Sequence, residues 1–377
     1  MVYLVLWQIA ILLDLHRPAV IGFALYGFVF HVIFGKAYAL VPAYFDRHLV
    51  TPWGPRLQLP LTATGAMALS VAPLVETTRD LTQIGFILWV SGAAIFFATL
   101  VGTIGTNLHG GETGTGEVNR HRQHIDRFAN AFVPIALAYF VVGSYEALAG
   151  VTVVPSVVIA VDPQITHLFA AGMATLLVFA IGSRLLPRFF VAHVPRPLVF
   201  VMLTSGAVAP ALLVVGFGNG FAFLAGAVLL WIGMTSYTIS VIVLASQTDR
   251  RRVGFIGVGL GALAGFLGVG VGVFMVLVGQ TVSLIAIHIR ILTLGFLALT
   301  IIGVLFQFYP PSIGTLPAVS DRSALASIVM LAIGLAVEVI GLIGAAPSIM
   351  TAGRVLVVLG ATGAAWILVA LTIERGA

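Results

Sequence analysis

The chain has 377 residues, 60% of them hydrophobic and only 8% charged, with a mean hydropathy of +1.13. A soluble domain carries about a quarter charged residues, so this composition describes an integral membrane protein with no room for a sizeable soluble domain. The formal charge of +5 rests on 17 arginines and one lysine, and cysteine is absent, which excludes disulfides, iron–sulfur clusters, thiolate zinc and covalent haem attachment through C-x-x-C-H.

A short apolar segment at 2–13 opens the chain. It has no basic n-region and no small-residue cleavage site, so it reads as a first span and not as a signal peptide. Eleven further apolar segments are long enough to cross the hydrocarbon core. They lie at about 18–42, 57–75, 81–105, 128–150, 164–186, 197–216, 221–245, 253–279, 284–308, 323–344 and 355–373. The expectation is an all-α integral membrane protein of about twelve spans, forming one transmembrane domain over 1–377.

The arginines orient these spans. With the N-terminus cytoplasmic, thirteen fall on one face: Arg47, Arg56, Arg120, Arg122, Arg127, Arg184, Arg188, Arg196, Arg250, Arg251, Arg252, Arg322 and Arg375. The other face has at most four, Arg17, Arg79, Arg354 and Arg290. That bias predicts both termini in the cytoplasm of a plasma-membrane protein. The basic charge is therefore a topology signal and predicts no nucleic-acid partner; the partner it implies is the lipid bilayer.

Aligning the spans on their prolines shows a repeat. GFVFHVIFGKAYALVP runs from Gly27 to Pro42, GMATLLVFAIGSRLLP from Gly172 to Pro187, and GFLALTIIGVLFQFYP from Gly295 to Pro310. Each has a glycine fifteen residues before a proline, and the three fall on spans 2, 6 and 10. This predicts three pseudo-symmetric four-helix arcs, about 1–105, 128–245 and 253–373. The glycines permit close helix approach, and the prolines are expected to end each helix at the cytoplasmic surface.

Twelve spans with special helices at 2, 6 and 10 resemble subunit I of the haem–copper oxidase superfamily. Ala39-Leu40-Val41-Pro42 and Leu185-Leu186-Pro187-Arg188 are similar to its helix-ending patterns. The set His167, Gly172, Arg184, Pro187 with His288, Gly295, Gln307, Pro310 resembles the divergent NnrS-like members still more closely. The resemblance implies a non-covalent, b-type haem, with or without copper, and a role in nitric-oxide response or respiratory electron transfer beside other respiratory or membrane subunits. The oxidase His-x-His pair is here His288-Ile289-Arg290, and the span at 197–216 has no histidine. A complete oxygen or nitric-oxide reductase is thus not expected, and reduced metal sites are. The resemblance makes His288 the axial ligand, His167 a distal residue or copper ligand, and Arg290 the partner of a haem propionate.

Several readings of the polar residues stay open. His167 and His288 either ligate metal through a neutral imidazole or bond to nearby loops. Arg290 either pairs inside the bundle or snorkels to the surface. His31 is a second-ligand candidate or a buried histidine bonded to a backbone carbonyl. Glu338 and Glu146 are candidates for proton relay, or Glu338 for pairing with Arg290. Lys36 reads as snorkelling, and His121 with His124, spaced i, i+3, as metal ligands on one helix face or, with the arginines around them, as a basic cap. The glycine-rich loop at 110–117 lacks a phosphate-loop ending. The rival functions are a metal-free transporter or channel lined by Glu338, Arg290 and His31, and a structural subunit of a larger complex.

Overall fold

Apolar runs of this length leave the backbone no polar partner but itself, so each closes into a helix. The computed structural model describes residues 1–76, 78–158, 161–218 and 220–376, and no strand occurs among them. Eleven helices are long and apolar enough to cross a membrane. They are α2 (Arg17–Tyr44), α3 (Gly54–Leu74), α4 (Arg79–Asn107), α5 (Glu117–Ala149), α6 (Asp162–Phe190), α7 (Arg196–Val215), α8 (Gly220–Gln247), α9 (Val253–Val278), α10 (Val282–Phe308), α11 (Asp321–Ile343) and α12 (Pro347–Arg375). The segment at 2–13 forms the shorter α1 (Val2–Leu12). At about 1.5 Å per residue it covers only about half of a hydrocarbon core about 30 Å thick.

The repeat seen in the sequence has a structural counterpart. In the most apolar stretch of α2, α6 and α10 alike, 67% of the residues are buried, against 28–56% in the other spanning helices. Each of the three also contains an eight-residue π-helical segment, at Gly22–Val29, Leu168–Thr175 and Ile291–Ala298. The repeat glycines Gly27, Gly172 and Gly295 lie inside these wide turns. A Cβ on Gly27 would stand 2.5 Å from the Tyr3 ring of α1, and one on Gly172 would stand 2.6 Å from the Tyr139 ring of α5. The tyrosines cross these gaps, and their hydroxyls donate to Ala63 O on α3 and Ala207 O on α7 at 2.5 and 2.6 Å. At Gly295 the facing residue is Ala264 of α9, whose Cβ would be 2.7 Å away. Gly27 and Gly172 are thus slots through which one helix reaches past a second to a third, while Gly295 lets α9 approach α10 closely.

Neighbour relations follow the same step of four. The pairs α3–α4, α7–α8 and α11–α12 pack as hairpins, while α4 meets α5, α8 meets α9 and α12 meets α1. The prolines depart from expectation. Pro42 and Pro187 lie inside helices that continue to Tyr44 and Phe190, whereas Pro310 follows the end of α10 at Phe308. A proline in the last turn forfeits one hydrogen bond where the helix is about to stop, so the helix tolerates it.

The end of the bundle holding these prolines is tied by Arg184, which is more than a topology signal. Its guanidinium is buried, donating to Tyr44 O (2.7 Å), Asn130 Oδ1 (2.6 Å) and Thr113 O (2.6 Å). Asp126, also buried, takes Arg188 Nη2 at 2.7 Å and Arg184 Nε at 3.4 Å. The glycine-rich loop is anchored to this network through Thr113 and Thr115.

Candidate cofactor site

At the opposite end, a cavity of about 260 Å³ opens among α2 and α6 to α10. Its walls are mostly apolar, with Ala24, Ala171, Leu230, Met234, Val269 and Phe296 among them. Both His167 and His288 line it, as do Arg17 and Arg290.

His288 reaches the cavity because α9 presents a row of glycines to α10, Gly254, Gly257, Gly261, Gly265, Gly268 and Gly272. The spacing of three and four residues keeps them on one helix face. His288 Nδ1 bonds to Gly268 O at 2.9 Å, and a Cβ on Gly272 would lie 2.9 Å from its Cε1. His167, in the turn before the π segment of α6, bonds through Nδ1 to Pro163 O at 2.6 Å. A carbonyl can only accept, so each Nδ1 carries a proton, and the neutral form of each ring has its lone pair on Nε2. Holding Nδ1–H on a carbonyl is also how proteins orient metal-ligating histidines. Among the described residues neither Nε2 has a hydrogen-bond partner.

The two ring centroids are 6.5 Å apart, with planes 28° from parallel. Two imidazoles on opposite sides of one metal, each bound at about 2.0–2.1 Å, would have ring centres about 6 Å apart, close to this separation. Among the described residues, no group of three or more His, Cys, Asp or Glu could hold a metal ion. Among its described His, Cys, Asp and Glu residues, the cavity lining offers two imidazoles.

Arg290 is buried, which removes the snorkelling alternative. It donates to Glu338 Oε2 through Nη2 at 2.6 Å and Nε at 3.0 Å, and to Gln8 Oε1 at 3.1 Å. Glu338 also takes Arg354 Nε at 3.3 Å, and Arg354 in turn holds Asp14 at 2.5 Å. The buried Glu338 thus lies between two arginines, and the exposed Asp14 brings the set of four charges to zero. Beside them, Trp7 lies under Arg290 at 5.7 Å and lines the cavity; its buried Nε1–H has no partner. A donor left unpaired at depth costs about 1–3 kcal/mol, and an acidic group entering the cavity would satisfy it. Apolar walls and two imidazole Nε2 atoms without partners are donor and lining types that a haem uses; Arg290, on the same wall, is already compensated by Glu338.

The other candidates lie elsewhere. His31 bonds through Nδ1 to Gly27 O and Tyr26 O (2.5 and 3.1 Å), faces Thr62 Oγ1 at 3.2 Å, and lines a different cavity. Glu146 accepts from the Val157 and Val158 amides at 2.9 and 3.0 Å and from the Ser156 hydroxyl, so it fastens the connection after α5. His121 meets His193, with Nε2 atoms 3.2 Å apart. Sequence reasoning missed Trp7, Gly268, Gly272 and Asp126. Only the glycines carried a signal, their spacing along α9.

No family model matches the chain, and a search of the curated proteins returns no match.

Proposed function

We propose that the cavity between α6 and α10 holds one haem, or haem with copper, in a membrane protein of the haem–copper oxidase type with reduced metal sites. The observation that carries the reading is the pair of histidines, each with Nδ1 fixed on a backbone carbonyl and Nε2 unpaired, at an apolar cavity. His288 would hold the haem iron, and His167 would serve as the distal residue or a copper ligand. Arg290, which keeps donors beyond those on Glu338 and Gln8, and the Trp7 Nε1–H would be the donors towards a carboxylate side chain of the ring. Bound haem supplies a one-electron redox centre able to bind a diatomic gas. The protein's part is to orient the imidazoles, exclude water with apolar walls, and keep Arg290 compensated by Glu338.

This reading places the protein in nitric-oxide response or respiratory electron transfer, in the plasma membrane, with other respiratory or membrane subunits as redox partners. Both termini are cytoplasmic, and twelve helices form three pseudo-symmetric arcs. The repeating neighbour pattern and the three π segments support the arcs. A transporter pathway through Glu338, Arg290 and His31 has less support: the first two close on each other and His31 lines another cavity.

The test is the visible spectrum of protein purified after expression with ample haem. A Soret band that shifts or disappears in His288→Ala is the expected result. No band at all in the wild type refutes haem binding. A band indifferent to His288→Ala refutes the ligand assignment.

A further inference from the structure

We infer that the groove between α2, α10 and α12, at the proline end of the bundle, binds an anionic phospholipid. It encloses about 400 Å³, and Val32, Leu305, Leu368 and Val369 give it apolar walls suited to an acyl chain. Lys36 and Tyr309 stand in the same lining. Lys36 Nζ donates to the Tyr309 hydroxyl at 3.2 Å and lies 4.3 and 4.5 Å from the Phe308 and Tyr309 ring centroids. The Arg375 guanidinium sits 4.8 Å from the same tyrosine ring. One ring thus carries two cations.

Among the described residues no carboxylate forms an ion pair with Lys36 or Arg375. Glu374, beside Arg375 in sequence, is occupied by the Thr315 amide and hydroxyl and the Leu316 amide at 2.7–2.9 Å. An ammonium has three donors, and Lys36 uses one on Tyr309. A charge inside a spanning segment is costly unless something pairs with it. Lys36 precedes Pro42 by six residues, about 9 Å along the helix, so its head lies within reach of the headgroup layer. Lys36 in the groove and Arg375 beside it, neither ion-paired among the described residues, complement a phosphate that brings its own hydrocarbon. A free phosphate would satisfy the charges and leave the groove walls uncovered, so the lipid is the better match.

The test uses the full chain, extracted in mild detergent from membranes containing phosphatidylglycerol and phosphatidylethanolamine, with retained lipid read by native mass spectrometry. Phosphatidylglycerol should be retained in preference. Lys36→Gln and Arg375→Gln should each lower its retention roughly fivefold, the effect of one cation near the headgroups. Lys36→Arg should keep it, and excess inorganic phosphate should not displace it. Equal retention of both lipids, or retention unchanged in the two glutamine variants, overturns the proposal. Displacement by inorganic phosphate also overturns it and makes this a soluble-anion site. Should Lys36→Gln fail to fold, Arg375→Gln at the helix end decides alone.

Discussion

Two intervals of the bundle share α6 as a wall and are filled in opposite ways. Between α2, α4, α5 and α6 lies a block of rings: Tyr26, Phe30, Phe34, Trp89, Phe96, Phe140 and Phe169. The contacts are close, with Phe30 to Trp89, Phe140 and Phe169 at 5.5, 5.5 and 5.3 Å and Phe34 to Phe96 at 4.5 Å. Between α6 and α10, the walls carry Ala170, Ala171, Ala227 and Gly272, and about 260 Å³ stays open. On α6 the change takes one residue, from Phe169 on the filled side to Ala170 on the open one. Inside a membrane, helices gain little from the hydrophobic effect and depend on dispersion contacts, so an unfilled interval forgoes stability. Both intervals hold a buried indole N–H without a partner, Trp89 on the filled side and Trp7 on the open one, so what sets the open interval apart is its two imidazole Nε2 atoms without hydrogen-bond partners.

The largest expected effect breaks the filled side. Trp89→Ala removes a fully buried ring from the middle of the block and should cost about 3–5 kcal/mol. Leu230→Ala, on the wall of the open cavity, should cost less, about 2 kcal/mol, because its neighbours already face a void. Thermal midpoints of ligand-free protein in detergent measure both. Equal losses would mean that the two intervals are packed alike.

A paired insertion sharpens the contrast at a smaller scale. Ala136 lies one turn before Phe140 on α5 and is fully buried, so Ala136→Phe overpacks the ring block by about 1–3 kcal/mol. Ala170→Phe adds the same ring to the cavity and should leave the ligand-free midpoint unchanged or raise it, while abolishing the Soret band. Loss of stability in both variants would contradict the difference in packing. Gly272→Ala should do less: its Cβ would crowd His288 Cε1 at 2.9 Å, costing about 1 kcal/mol and shifting the band without removing it. A band unmoved by Gly272→Ala would show that the glycine does not set the imidazole.

Much of this contrast is absent from the linear sequence, for physical reasons. Apolar runs near twenty residues fix the spanning helices because bilayer thickness leaves little choice, and the Gly–Pro spacing located α2, α6 and α10 because the slots require glycine. The pairing of Arg290 with Glu338 was one of two open alternatives, since a buried charge needs an opposite one. The rest depends on rotation about helix axes. Which face of α4 sends Trp89 towards Phe30, or how Tyr3 crosses Gly27, is settled by tertiary packing among segments of nearly uniform hydrophobicity. Arg184 misled for a related reason. An arginine near a helix end reads as a topology mark whether it reaches solvent or, as here, three buried acceptors.

The smallest expected effect lies at the proline end of the filled side, where the loop after α4 is held against the end of α2. Asn107 Nδ2 donates to Phe45 O at 2.9 Å and to Glu112 O at 2.8 Å, and the Glu112 carboxylate accepts from Arg47. The Arg47 hydrogen bond and charge hold the Glu112 carboxyl below the usual carboxylate range. A carboxyl whose folded value is depressed contributes stability that is fully present above its unfolded value of about 4.3 and is lost as pH falls through the lower folded value. Glu112 is exposed, so water and salt screen the pair and the gain is small. Thermal midpoints of the wild type and Glu112→Gln should differ slightly at neutral pH in favour of the wild type. They should converge below the carboxylate range, where the other acids titrate equally in both proteins. A difference that persists into acid would mean that the loop is held by Asn107 and the buried Arg184 network alone, and that the Arg47 pair contributes nothing through its charge.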